Sequence, residues 1–185
     1  RVGTSSLRRR AQLLARKPGL NVVDIRGNID TRVAKVLDKK EMDAAILACA
    51  GLERIGQTDA IAEVLPADVM LPAAGQGALG IQARADDDEL LALLEKIHDA
   101  AAAAETAAER TMLAALGGGC QVPIGALARA AGDSLTLHGC VCSLDGTQVL
   151  RTEVSGNRSD AESLGNQAAE NLLASGAKAI VAELI

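Results

Sequence analysis

The chain has 185 residues, 49% of them apolar and 23% charged, a composition that suits one large or two small globular domains. It contains no Phe, Tyr or Trp, so its cores must be aliphatic, and aromatic stacking on nucleic-acid bases is excluded. The net charge of −5 argues against non-specific binding to nucleic acid or an anionic membrane, and no apolar run reaches membrane-spanning length.

Residues 1–6 read as a strand running into a loop, with Ser5 or Ser6 capping a helix over 7–16 that Pro18-Gly19 stops. Residues 21–26, carrying Val22, Val23 and Ile25, read as a second strand. Gly27-Asn28 turns the chain, and Asp30 or Thr31 caps a helix running to about Lys39. A short apolar strand at 43–48 and a helical turn at 51–55 complete a β-α-β-α-β order, which implies a parallel sheet with helices packed on it. Residues 71–84 read as an extended crossing segment ending in a strand at 79–83. Residues 88–116 form a long helical region, either one helix or two separated by a break near His98-Asp99. Three strands follow at 122–129, 134–142 and 147–154, separated by turns at Ala131-Gly132-Asp133 and Asp145-Gly146. Ser159 or Asp160 caps a helix to about Ala174, and 178–184 is a final apolar segment. The second part is therefore an α+β unit with a three-stranded antiparallel sheet. The opening Arg1-Val2-Gly3, without Met and inside a strand, reads as a fragment or as a chain missing its beginning.

Basic residues crowd the start: Arg1, Arg8, Arg9, Arg10, Arg16, Lys17, Arg26 and Arg32. In the run Thr4-Ser5-Ser6-Leu7-Arg8-Arg9 a strand ends, hydroxyls follow and a helix begins. The unpaired N–H groups and the dipole of a helix N-terminus favour an anion, and guanidinium forks take carboxylates in bidentate fashion. Arg26, Asn28 and Arg32 form a second cluster. In an open α/β sheet, ligands lie beyond the carboxyl ends of the strands, where both clusters fall. Convergent arginines suit a small ligand with several carboxylates or phosphates; the alternative is surface pairing with Asp24, Asp30 and Asp38. Arg54 lines the same crevice or is ordinary surface, and Gln76 either reaches the cleft or satisfies a hinge backbone.

Of the four cysteines, Cys120 sits on the glycine-rich turn Gly117-Gly118-Gly119-Cys120, ahead of a strand. That setting exposes a thiol and lets a bulky group approach the backbone, although the bare pattern also fits a tight turn with an incidental cysteine. Cys140-Val141-Cys142 places two thiols on one face of a strand, which suits half-buried packing better than a metal, for which no matching ligand pair exists. The absence of a disulfide framework suits reduced thiols and a cytoplasmic location.

Together, the motifs Thr4-Ser5-Ser6-Leu7-Arg8-Arg9, Arg26-Gly27-Asn28, Thr31-Arg32, Leu71-Pro72-Ala73-Ala74-Gly75-Gln76-Gly77 and Gly118-Gly119-Cys120-Gln121-Val122-Pro123-Ile124-Gly125 resemble the porphobilinogen deaminase (hydroxymethylbilane synthase) family in order and spacing. The resemblance implies an α/β domain of the type II periplasmic-binding kind (residues 1–71, its start missing), a crossing segment related to the family's first domain (72–98) and a small α+β domain (99–185). It implies a dipyrromethane cofactor attached through sulfur at Cys120. Four porphobilinogen units condense onto it in turn with loss of ammonia, in the tetrapyrrole pathway to heme. Thr4, Ser6, Arg8, Arg9, Arg26, Asn28 and Arg32 would bind the carboxylates of the cofactor. Arg8, Arg26, Arg32 and, more weakly, Arg54 would bind substrate. The proton-transfer Asp of the family belongs to an N-terminal domain upstream of Arg1. No residue here takes that role, and the chain alone is expected to be inactive, needing that domain as its partner. The complete protein is expected to be a monomer that uses no metal. The competing reading is a non-catalytic carboxylate- or phosphate-binding module of periplasmic-binding type.

Overall fold

The structure, a computed structural model, describes residues 1–118 and 122–182. The N-terminal unit is built on a parallel sheet ordered β2-β1-β3, from β1 (Val2–Gly3), β2 (Val22–Val23) and β3 (Ala44–Ala45). Helices α1 (Leu7–Arg16), α2 (Ile29–Leu37) and α3 (Cys49–Arg54) follow the three strands in turn. Gly3 lies at the centre of the sheet because a Cβ there would run into Met42 and sit 3.2 Å from the tip of Ile25. The helix α1 has the extent its sequence predicts, with Ser6 as its N-cap. In α2 the cap is Asn28, two residues ahead of the predicted Asp30, since the helix winds directly out of the Gly27 turn.

The segment 61–87 crosses the molecule without regular structure, and the expected strand at 79–83 is absent. A strand needs a hydrogen-bonded neighbour, and none lies alongside: Leu79 is 89% exposed and Ile81 61%. Of the two alternatives for the helical region beyond, the broken one holds, giving α4 (Asp88–Glu95) and α5 (Ala100–Ala115). Asp99 makes the break by accepting hydrogen bonds from the backbone N–H groups of Ala101 and Ala102 at the start of α5.

The C-terminal unit is an antiparallel sheet ordered β4-β5-β6, from β4 (Ile124–Ala131), β5 (Ser134–Cys142) and β6 (Val149–Asn157), followed by α6 (Ala161–Ala174) and α7 (Ala177–Ala182). Ala131 pairs with Ser134 across the two-residue turn Gly132-Asp133, where Gly132 takes a φ of +61°. The final apolar segment, left unassigned by its pattern, is the short helix α7. On one face of the central strand β5, Leu135, Leu137 and Val141 join the core formed with α5 and α6. The two helices approach closely through small residues: a Cβ on Gly165 would lie 2.6 Å from the carbonyl oxygen of Ala108. Gly165→Ala is therefore expected to cost about 1–3 kcal/mol by overpacking, measured by urea unfolding.

The other face of β5 carries Cys140 and Cys142, which are fully buried against Ala11 of α1 and Leu71. The half-buried pair expected from the sequence is closed off because the N-terminal unit covers this face of the sheet. The outer edge of β4 is covered as well. Its outward N–H groups at Ala126, Ala128 and Ala130 donate to the Pro72 carbonyl (2.9 Å), the Glu109 carboxylate (2.7 Å) and the Glu105 carboxylate (2.8 Å). Glu105 and Glu109 are one helical turn apart on α5, a rise of about 6 Å that matches two residues of strand. An edge that would otherwise offer itself to another chain is thereby satisfied.

Candidate functional site

The carboxyl ends of β1, β2 and β3, where the sequence reading puts a ligand crevice, are bordered by the loop 4–6. Three hydroxyls stiffen that loop. Thr4, 2% exposed, accepts the Ser6 N–H at its Oγ1 (3.3 Å). Ser5 Oγ donates to the Ile25 carbonyl (2.7 Å) and accepts the Ile25 N–H (3.0 Å), tying the loop to the end of β2. Ser6 Oγ accepts the Arg9 N–H (3.4 Å). Ser6 thus meets one orphan donor of α1, while the N–H groups of Leu7 and Arg8 remain without an intrahelical acceptor. The positive end of α1 faces the crevice.

Two guanidiniums stand beside it. Arg8 is 7% exposed and donates to the Leu71 carbonyl and to Gln76 Oε1 (3.2 Å). Burial, then the neighbouring Arg9, pulls its pKa down to about 10, so it remains a cation at neutral pH. Arg9 donates to the Ile46 carbonyl just beyond β3 (2.8 Å), and its pKa is lowered by burial and then by Arg32. Arg32 in α2 is anchored through Nε to the Gly27 carbonyl (2.8 Å). Arg9 therefore stands near enough to Arg8 on one side and Arg32 on the other for the charges to repel. Among the described residues none of the three pairs with a carboxylate, and the surface ion pairing to Asp24, Asp30 and Asp38 weighed from the sequence does not form. Arg26 and Asn28 follow β2 and are exposed; the Asn28 side chain makes no capping bond. Arg54, at the end of α3, is exposed and has no hydrogen bond or ion pair among the described residues.

Arg8 is held in place by groups whose roles the sequence did not announce. Gln12, buried one turn along α1, accepts the Leu71 N–H at Oε1 (2.8 Å) and donates to the Leu71 carbonyl from Nε2 (3.1 Å). This reciprocal clamp fixes the carbonyl that Arg8 grips. Gln76 joins Arg8 to the Ala73 N–H (3.4 Å), the backbone-satisfying role of the two weighed for it. Nothing in the local pattern marks Gln12; only the partner 59 residues away gives it meaning.

The glycine-rich turn is anchored on both sides. The helix α5 ends with Gly117 at φ +67°, and the Gly118 N–H returns to the Leu113 carbonyl (3.0 Å). Val122, Pro123 and Ile124 are buried as β4 begins. Cys120 lies outside the described residues. The other three cysteines are free thiols. Among the described residues, no helix is long and apolar enough to cross a membrane.

Two family profiles match the chain: "Porphobilinogen deaminase, dipyromethane cofactor binding domain" over residues 1–92 and "Porphobilinogen deaminase, C-terminal domain" over residues 103–174. Curated proteins named porphobilinogen deaminase are similar over nearly the whole chain. The one from Roseiflexus castenholzii is 52% identical, covering 98% of this chain and 59% of its own length. That from Trichlorobacter lovleyi is 49% identical, with 100% of this chain and 59% of the relative covered. The Synechococcus elongatus protein is 51% identical, with 99% and 57% covered. The chain thus spans somewhat under three fifths of the length of these relatives. With two profiles of one family in tandem and near-complete coverage at about half identity, the chain belongs to the porphobilinogen deaminase family.

Proposed function

We propose that this chain is the carboxylate-binding and cofactor-carrying portion of a hydroxymethylbilane synthase, a transferase that condenses four porphobilinogen units in turn with loss of ammonia. The observation that carries the proposal is the group Arg8, Arg9 and Arg32, partly buried cations without a carboxylate among the described residues. Burying a guanidinium without an acid is costly, and the cost is offset when an anionic ligand arrives. Each pyrrole of the proposed substrate bears an acetate and a propionate, so a growing chain presents the opposite charge repeatedly.

The donors suit a dipyrromethane held by its carboxylates. Arg8 and Arg9 would clamp them. Thr4 and Ser6 would keep the α1 N-terminus open toward them, and Arg26, Asn28 and Arg32 would line the outer side. Arg54, exposed at the end of α3, is a further candidate for substrate. Cys120, between the anchored Gly118 and Val122, would supply the sulfur. When bound, the dipyrromethane supplies the carbon to which substrate adds; the residues here fix its carboxylates so that this carbon is presented in one orientation. None of these residues is placed to protonate departing ammonia, a task for a group of matched pKa within hydrogen-bond reach.

We assign residues 1–71 to an α/β domain of type II periplasmic-binding kind, 72–98 to a crossing segment and 99–185 to the α+β domain. The exposed Leu79, Ile81, Leu93 and Ile97 are apolar surface for the remaining part of the protein to cover. In the cell the reading places the whole protein in the cytoplasm as a monomer. The chain by itself is expected to consume no porphobilinogen, while the full-length protein consumes it and carries the mass of two pyrroles on the Cys120 peptide. Robust turnover by the isolated chain defeats the division of labour; an unmodified Cys120 in active full-length protein defeats the attachment site.

A further inference from the structure

A second cluster of arginines lies away from the crevice, in the seam between the two sheets. A cleft of about 370 Å³ opens between Gln12, Ala15 and Arg16 of α1, Asp68, and Val149 and Arg151 of β6. Arg16 reaches it from the last turn of α1 and Arg151 from the sheet. Arg151 sits directly opposite Cys140 in the strand register, which puts its side chain on the face that α1 covers. The two guanidiniums converge on one atom: Arg16 donates to the Asp68 carbonyl at 2.9 Å and Arg151 donates to the same oxygen at 3.2 Å.

Bringing two cations onto a single neutral acceptor is unfavourable unless a negative charge lies close. The Asp68 carboxylate is the one acid present, 3.7 Å from Arg16 and 77% exposed. Arg151 forms no ion pair among the described residues. A guanidinium has five N–H donors, and the Asp68 carbonyl engages one donor on each arginine. Gln12 is uncharged, and both ends of its amide are committed to Leu71. The local balance is two positive charges against one exposed negative charge, with most donors unspent around an open cleft.

We propose that this seam is a second oxyanion site, taking a phosphate-sized dianion between Arg16 and Arg151. Two forks set at an angle suit the several oxygens of a tetrahedral dianion better than the single plane of one carboxylate. The site is separate from the crevice: Arg16 is two helical turns beyond Arg8 on α1. A bound dianion would join α1 to β6 and so tighten the seam between the N-terminal unit and the C-terminal sheet. The inference does not rest on the function proposed for the crevice.

The test uses the full-length protein and inorganic phosphate as the probe, at constant ionic strength, read by backbone amide chemical shifts. Phosphate is expected to shift Ala15, Val149 and Arg151 in the wild type and equally in Arg9→Gln, where the crevice is weakened. In Arg151→Gln the affinity at these amides should fall about tenfold or more, the loss of one charge-assisted contact. Acetate at the same concentration should shift them less. Shifts confined to 6–9 and 27–28, shifts unchanged in Arg151→Gln, or none at all overturn the proposal. Equal shifts with acetate overturn the dianion preference. Porphobilinogen turnover, which tests the crevice, is read separately.

Discussion

Replacing Arg8 with Leu in the full-length protein is expected to lower porphobilinogen consumption about a hundredfold or more, while the melting temperature stays level or rises. The two halves of this expectation have one cause. Arg8 is nearly buried, and its pKa is down to about 10 chiefly because burial disfavours the charged form. The sign follows directly. A base with a depressed folded pKa carries a cost below that pKa, so at neutral pH the folded protein bears it in full, and it is relieved only as pH rises past about 10. Removing the charge removes the cost. Leu71, which Arg8 grips, keeps its reciprocal clamp to Gln12 and is not left unsatisfied. The ligand, by contrast, loses a desolvated charge-assisted contact worth about 2–5 kcal/mol, roughly 30-fold to several thousandfold. Arg8→Lys keeps the charge without the fork and should fall between. Steady-state assay and thermal melting of the same preparations check this. Activity within threefold of wild type removes Arg8 from the site, and a clear fall in melting temperature makes it a structural residue instead.

Replacing Glu109 with Ala is expected to cost about 3–5 kcal/mol of stability, the largest structural effect anticipated for a single side chain outside the crevice. One carboxylate serves two elements distant in sequence: Oε2 accepts the Gly75 N–H at 2.6 Å and Oε1 the Ala128 N–H at 2.7 Å. Truncation strands both donors in a site only 6% exposed. It also removes the tie at Gly75, leaving the crossing segment held to β4 by the Ala126 N–H on the Pro72 carbonyl, so Gln76 beside Arg8 is less firmly placed and activity should fall with stability. Glu109→Gln retains one acceptor and should cost less. The pH dependence has a definite sign. Burial raises the Glu109 pKa above its ordinary value, outweighing the two backbone hydrogen bonds that lower it. The folded state therefore holds this proton more tightly, and the contribution is present at acid pH and lost as pH climbs through the raised value. Denaturant unfolding across that range should show a downward slope in wild type that Glu109→Gln flattens.

The two sites differ in how they can be read from sequence. The hydroxyl run Thr4-Ser5-Ser6 ahead of Arg8-Arg9 states its geometry locally, because a cap and a first helical turn are contiguous residues. The same holds for the helix Leu7–Arg16, the break at Asp99 and the antiparallel strands around Gly132, all set by periodicity and turn chemistry over a few positions. Glu105 and Glu109 read only as a polar stripe on an alanine-rich helix. Their use becomes visible when β4 lies alongside with its outward N–H groups at matching spacing.

By itself the sequence determined the order of most elements, the two kinds of sheet, the crowding of basic residues near the start and, through its motifs, the family. These are recorded in short-range spacing, where backbone geometry acts residue by residue. Tertiary structure alone decided that Arg8 is buried with no acid paired to it among the described residues, that Gln12 clamps Leu71, that the Cys140 and Cys142 face is closed by α1, and that 79–83 forms no strand. Each of those depends on whether a partner far along the chain is present to desolvate a group or receive its hydrogen bond. Burial and pairing are properties of the assembled surface, and no local pattern carries them.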